Sequence, residues 1–226
     1  MINKNNGSET ITIKYFSMFS GIGGFEYGLQ QSKHDFENVG YSEIDKYAVS
    51  IYERNYPNHT NYGDATKIKT EDLPDFDFLV GGFPCQAFSV AGKRGGFNDT
   101  RGTLFFEIAR ILKDKKPPYF LLENVRGLLS HDKGRTFKTI LGILSDLGYI
   151  VQWTLLNSAD FQVPQQRERV FIEGYLGGES TGEVLSVRRN CSKNITKVNS
   201  FRDKHRSFSV YPDTKTVTRT LTTNGQ

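Results

Sequence analysis

Apolar positions along the chain fall into short blocks separated by polar turns, and the blocks alternate between two spacings. Ile11–Ser20, Phe36–Ser42, Phe76–Val80, Tyr119–Leu122, Tyr149–Leu156 and Val170–Ile172 are short apolar runs of strand type. Thr60–Tyr62 is a shorter candidate. Between them lie residues at helical spacing. Tyr47, Ala48, Ile51 and Tyr52 form one such face, behind a capping Asp45. Leu104, Phe105, Ile108, Ile111 and Leu112 mark a helix over Thr103–Lys113. Phe137, Ile140, Leu141, Leu144 and Leu147 mark another, closed by Gly148. Strand and helix alternating in this way predict an α/β fold: a doubly wound, mainly parallel, Rossmann-like sheet with helices on both faces. From Leu176 the pattern dissolves into Gly, Ser, Thr and basic residues, and Gly177-Gly178 is the expected boundary between units 1–176 and 177–226.

Composition narrows the class. Of the 226 residues 37% are apolar, enough for one core, and no apolar run has the length of a membrane span. Residues 1–10 are polar and carry no signal-peptide core. Two cysteines far apart suggest neither a disulfide framework nor a cysteine metal site, so a reduced, cytoplasmic protein is expected. The net charge of +4 is uneven. Ser186–Gln226 holds nine Lys/Arg against two Asp/Glu, whereas the rest holds twenty against twenty-three. A near-neutral body with a basic end suits a catalytic unit joined to a nucleic-acid-facing part, and equally a solvated loop-rich surface.

The candidate chemistry sits at the ends of the strand-like runs. Gly21-Ile22-Gly23-Gly24 follows the first, as the opening of a nucleotide-binding βαβ unit would. Its spacing is not that of the dinucleotide fingerprint, and alone it reads as a tight turn. Glu43 ends the second run about 20 residues further on, where a carboxylate can take ribose hydroxyls. Gly81-Gly82-Phe83-Pro84-Cys85-Gln86-Ala87-Phe88-Ser89 ends the Phe76–Val80 run and presents Cys85 on a turn. A loop with four glycines and the basic residues Lys93, Arg94 and Arg101 follows, of the kind that closes on a polyanion. Arg167 and Arg169 alternate along an extended stretch and so face one way, toward a phosphate and a base carbonyl or toward surface ion pairs.

Phe83–Ser89 resembles the nucleophile motif of the cytosine-C5 DNA methyltransferases of bacterial restriction-modification systems. Glu123-Asn124-Val125 resembles that family's second catalytic motif, and Gln165-Gln166-Arg167-Glu168-Arg169 matches its Gln-x-Arg-x-Arg in full. The resemblance covers roughly Lys14 to Tyr175 and implies S-adenosyl-L-methionine as cofactor, with no metal. It places Phe19, Gly21, Gly23, Gly24, Glu43, Ile44, Asp64 and Leu104 on that cofactor, with Asp64 reading the adenine amino group. Two positions depart from the family: Ser17 stands where it has an acid, and Ile44 where it has a large aromatic. The catalytic set implied is Cys85, Glu123, Arg167 and Arg169. Gln86, Ser89, Lys93, Arg94 and Arg101 are expected to face DNA.

The activity implied is methyl transfer to C5 of a cytosine flipped out of duplex DNA, through a covalent bond between Cys85 and C6. The family places its hinge and recognition domain over the region that begins at 177, and its closing Gly-Asn-Ser motif does not occur here. The expectation is a C-terminally incomplete enzyme, inactive or partial alone, with the missing motifs supplied by a second polypeptide. A cognate restriction endonuclease would be a partner only within the system, and no membrane is involved. Three alternatives stay open: a nicotinamide-dependent oxidoreductase built on the glycine turn and Glu43, a non-catalytic or split DNA-binding subunit, and a tRNA cytosine-C5 methyltransferase.

Overall fold

The computed structural model describes residues 11–84 and 104–177, and the backbone of 208–210 and 219–221. Strands β1 (Thr12–Met18), β2 (Asp35–Ser42), β3 (Phe78–Gly82), β4 (Tyr119–Val125), β5 (Tyr149–Asn157), β6 (Glu168–Leu176), β7 (Phe208–Val210) and β8 (Arg219–Leu221) form one sheet in the order β2-β1-β3-β4-β6-β5-β8-β7. Helices α1 (Gly24–Gln30), α2 (Lys46–Asn55), α3 (Leu104–Lys115) and α4 (Arg135–Asp146) connect or flank them. The first four strands are parallel neighbours. β6 runs antiparallel to both β4 and β5, so of the six strands up to Leu176 it alone is reversed. β7 and β8 extend the sheet beyond β5 as an antiparallel pair.

The sheet grows from β1 in two directions. The chain steps from β1 to β2 on one side, then returns to β3 and β4 on the other. Right-handed crossovers put the connecting helices of these two steps on opposite faces. The point where the order reverses, between β1 and β3, opens a crevice at the strands' carboxyl ends, which is where ligands bind in such sheets.

The core follows the helical faces seen in the sequence. Phe105, Ile108, Ile111 and Leu112 of α3, and Phe137, Ile140, Leu141 and Leu144 of α4, are buried with Phe16, Leu79, Phe120, Leu122 and Ile172 of the sheet. Each such side chain, once buried, contributes about 1.5–3 kcal/mol.

Three expectations are corrected. Gly81 and Gly82 continue β3 rather than stopping it. A Cβ at Gly81 would lie 3.0 Å from the Met18 carbonyl oxygen, so glycine lets β3 pass close to β1. The buried face of α2 carries Tyr52 and leads to Tyr56, whereas Tyr47 and Ile51 are exposed. Thr60–Tyr62 is reduced to a single bridge, Asn61 to Tyr41.

Candidate active site

The carboxyl ends of β1, β2 and β3 and the segments that follow them line the crevice. After β1 the chain turns sharply: Phe19 takes φ 53°, Gly21 56° and Gly23 94°. The left-handed conformation is costly for an aromatic residue, and such strain collects where a ligand is gripped. The Gly21 N–H donates to Glu43 Oε2 at 2.9 Å, joining the glycine turn to the end of β2. Glu43 Oε1 accepts from the N–H groups of Ile44 (2.8 Å) and Asp45 (2.9 Å). Three of the carboxylate's roughly four acceptor positions are thus filled, which fixes its orientation and leaves one free on Oε2.

Asn61 holds this corner together. Its Nδ2 donates to the Glu43 carbonyl (3.1 Å), and its Oδ1 accepts from Gly63 N–H (2.8 Å). Ser42 Oγ donates to the Gly63 carbonyl at 2.6 Å. Asp64 is positioned directly after, its Oδ1 accepting from both the backbone N–H and the hydroxyl of Thr66. Those hydrogen bonds, and then Lys67, hold its carboxyl below the usual range, so it stays an ionised acceptor.

These groups line a cleft of about 280 Å³. Phe19, Glu43, Ile44, Asp64 and Leu104 are on its wall, and Gly82 and Pro84 close the side next to β3. Gly21, Gly23 and Gly24 are not among its lining residues. Gly23 instead packs on α2: a Cβ there would fall 2.5 Å from the Tyr56 ring. Two oriented carboxylates beside the apolar Phe19, Ile44 and Leu104 could hold a cofactor that offers hydroxyl or amino donors and an apolar face.

One strand over, β4 carries Glu123. Its register places it beside Gly82 of β3, and a Cβ at Gly82 would lie 3.3 Å from Glu123 Oε2. From β6, Arg169 Nε approaches Glu123 Oε1 to 2.6 Å. Burial pushes the Glu123 carboxyl above the ordinary carboxylate value, and Arg169, then Arg167, pull it back only in part. The pair is a half-buried acid oriented by a guanidinium. Arg167 is exposed at the entry to β6, its N–H bonded to Asn157 Oδ1 and Ser158 Oγ. Arg126 pairs with Glu168 alongside.

The buried Asn124 binds across to the next strand. Its Nδ2 donates to the Phe83 carbonyl at 2.8 Å, and its Oδ1 accepts from Val125 N–H. It therefore fastens the turn that leads through Pro84 into Cys85. Neither Asn61 nor Asn124 is singled out by the sequence reading, though Asn124 lies inside the Glu-Asn-Val motif. Cys85, Gln86, Ser89, Lys93, Arg94 and Arg101 lie outside the described residues, as does Cys191. Among the described residues no three His, Cys, Asp or Glu side chains gather as a metal-ligand set, and no helix is long and apolar enough to cross a membrane.

A mainly parallel, doubly wound sheet with a carboxylate-lined crevice at its switch point, beside a half-buried acid–arginine pair, belongs to the α/β class whose ligand sites lie at the strands' carboxyl ends. The family model for C-5 cytosine-specific DNA methylases matches residues 13–224, and the chain belongs to that family. It is 54% identical over 167 residues to Type II methyltransferase M1.ScrFI of Lactococcus lactis subsp. cremoris, covering 74% of this chain and 42% of the relative. It is 46% identical over 205 residues to Type II methyltransferase M.BanI of Aneurinibacillus aneurinilyticus, covering 89% and 46%. The chain thus spans less than half the length of these relatives. The fold is similar to that of a Spodoptera frugiperda DNMT2 mutant, with TM-score 0.62 and 24% identity over 83% of this chain and 56% of that one. It is also similar to a putative DNA modification methyltransferase encoded within a prophage (E. coli), with TM-score 0.59 and 21% identity over 90% and 62%.

Proposed function

We propose that the chain carries the catalytic unit, residues 1–176, of an S-adenosyl-L-methionine-dependent DNA cytosine-C5 methyltransferase of a cytoplasmic restriction-modification system. The region from 177 begins its hinge and DNA-recognition part. The observation that carries this reading is the Glu123–Arg169 pair at 2.6 Å, set beside Gly82 at the mouth of the carboxylate cleft. Bound in that cleft, S-adenosyl-L-methionine supplies an electrophilic methyl group for C5.

The chain's own residues do the rest. Cytosine C5 is a poor nucleophile until something adds at C6. The Cys85 thiolate adds there, and Glu123 holds a proton at ring N3 as negative charge develops. Arg169 and Arg167 bind the base carbonyl and the adjoining phosphate, and their charge favours the thiolate. Loss of the C5 proton and departure of the thiolate restore the aromatic ring. C6 is out of reach inside a duplex, so the base is flipped out, with Gln86, Ser89 and the basic loop lining its path.

The experiment is covalent trapping on duplex DNA carrying 5-fluorocytosine, with cofactor present. Fluorine cannot leave as the proton does, so a Cys85-dependent adduct accumulates, and Cys85→Ser abolishes it. An adduct that persists in Cys85→Ser overturns the assignment. The assay is run with the chain alone and with a polypeptide supplying the length that the relatives carry beyond the match, because we propose that turnover depends on it.

A further inference from the structure

Beneath the glycine turn lies a carboxyl group that the chemistry above does not use. Glu26, in the first turn of α1, is fully buried. Its Oε1 accepts from the Tyr52 hydroxyl of α2 at 3.0 Å, and the same hydroxyl lies 3.0 Å from His59 Nδ1 beyond α2. By distance its Oε2 has no hydrogen-bond partner, nor has the buried Ser17 hydroxyl of β1, although that hydroxyl acts on the Glu26 carboxyl and pulls its pKa down. An unpartnered buried oxygen costs about 1–3 kcal/mol, so this arrangement is retained at a cost and calls for a reason.

The surroundings give one. Tyr52 stacks on Tyr41 of β2 at 3.9 Å between ring centroids, and Tyr56 stacks on His59 at 5.2 Å. The Tyr56 hydroxyl donates to the Gly23 carbonyl at 3.4 Å, while its ring fills the space a Cβ at Gly23 would take. Glu26 is therefore the point where α1 is tied to α2, three residues after Gly23. Directly above, Gly21 N–H orients Glu43 in the cleft. A shift of α1 relative to α2 would move Gly23, then Gly21, then the Glu43 carboxylate.

We infer that Glu26, Tyr52 and His59 form a buried clasp that positions the glycine turn and, through Gly21, the Glu43 carboxylate. Glu26 is a positioning residue and touches no ligand. Burial raises the Glu26 carboxyl above its ordinary value, against the pull of hydrogen bonds from the Ser17 and Tyr52 hydroxyls, and burial lowers that of His59. The other titratable groups facing Glu26 are Tyr15, Tyr41, Tyr52 and Tyr56, all raised and neutral, so no cation offsets a charged carboxylate there. Its bearing on cofactor affinity rests on the reading of the cleft given above, but its bearing on the turn does not.

Amide hydrogen exchange and calorimetric binding of S-adenosyl-L-methionine, both on the full chain, test the clasp. Glu26→Leu and Tyr52→Phe are expected to speed exchange at Gly21 and Gly23 about tenfold relative to amides of β4 and β5, the loss of one net hydrogen bond. Both variants weaken cofactor binding by a similar factor. Glu26→Gln keeps an oxygen that can accept from the Tyr52 hydroxyl and restores both toward wild type. Unchanged exchange at the turn in Tyr52→Phe, which deletes one hydroxyl and folds even where Glu26→Leu does not, overturns the proposal. So does a Glu26→Gln variant as impaired as Glu26→Leu, since the hydrogen bond to Tyr52 would then not be what holds the turn. A wild-type chain that shows no cofactor binding overturns the cleft assignment instead, and the exchange result still decides the clasp.

Discussion

Arg169 Nε sits 2.6 Å from Glu123 Oε1 across the antiparallel β4–β6 ladder, where Arg169 lies opposite Val125 and Glu123 opposite Phe171. The contact is thus a diagonal one, and it exists because β6 runs against its neighbours. A parallel β6 would not bring the Arg-x-Arg stretch, at the start of the strand, to the carboxyl end of β4. The reversed strand therefore assembles a pair whose members lie 46 residues apart in the chain.

Glu123 gives the first prediction. Its carboxyl is raised above the ordinary value of 4.5 in the folded protein, because burial outweighs the two arginines. The folded state binds the proton more tightly than the unfolded one. The contribution of Glu123 to stability is therefore full below about pH 4.5 and is lost as pH rises through the raised folded value. Urea unfolding at stepped pH should show this decline in wild type and not in Glu123→Gln. In the trapping assay Glu123→Gln should lower the rate about 10²–10⁴-fold, the usual worth of a positioned acid.

Arg169→Ala gives the second. It removes the larger of the two pulls toward the ionised form, so the decline in stability should move to higher pH. Removing one partner of a largely buried pair costs about 3–5 kcal/mol when the other stays charged. Here both side chains keep a fifth or more of their surface exposed, so solvent screens the remaining charge and the loss should fall below that range. Unfolding free energies at pH 5 and pH 8 check both points: the deficit of Arg169→Ala should be larger at pH 8.

Much of this was legible in the sequence. The strands themselves were visible as apolar runs, with Glu43 and Glu123 at or near their carboxyl ends, but glycine misplaced the end of β3, because Gly81 and Gly82 are strand residues there. The helical faces of α3 and α4 were visible because an aliphatic stripe has one reading. The face of α2 was not, since tyrosines serve equally at a surface and in a core, and only packing shows that Tyr52 goes inward while Tyr47 does not. The direction of β6 was hidden because an extended run has the same pattern whichever way it points. Asn61 and Asn124 were missed for a related reason: asparagine is usual in turns, and its role as a clamp depends on partners many residues away.

Asn124 gives the third prediction. Asn124→Ala leaves the Phe83 carbonyl without its partner and should cost about 1–3 kcal/mol of stability. It also frees the turn ahead of Cys85, so trapping should slow by more than the folded fraction accounts for. Trapping rates normalised to folded protein from circular dichroism check this. Equal normalised rates would show that Asn124 supports the fold alone.

The glycine turn gives the last. Gly23 has φ +94° and a Cβ there would meet Tyr56 at 2.5 Å, whereas Gly24 has an ordinary φ and nothing within 4 Å. Gly23→Ala therefore incurs backbone strain and a clash together, and should lose about 1–3 kcal/mol or more. Gly24→Ala, in the first position of α1, should be neutral or gain about 0.4–1 kcal/mol by restricting the unfolded chain. The two adjacent substitutions differ only in local geometry, so a thermal unfolding comparison isolates it. Because the Gly21 N–H orients Glu43 two residues away, Gly23→Ala should also weaken cofactor binding, while Gly24→Ala should leave it unchanged. Equal effects from both variants would mean that the turn tolerates displacement and that Glu43 is held by Ile44 and Asp45 alone.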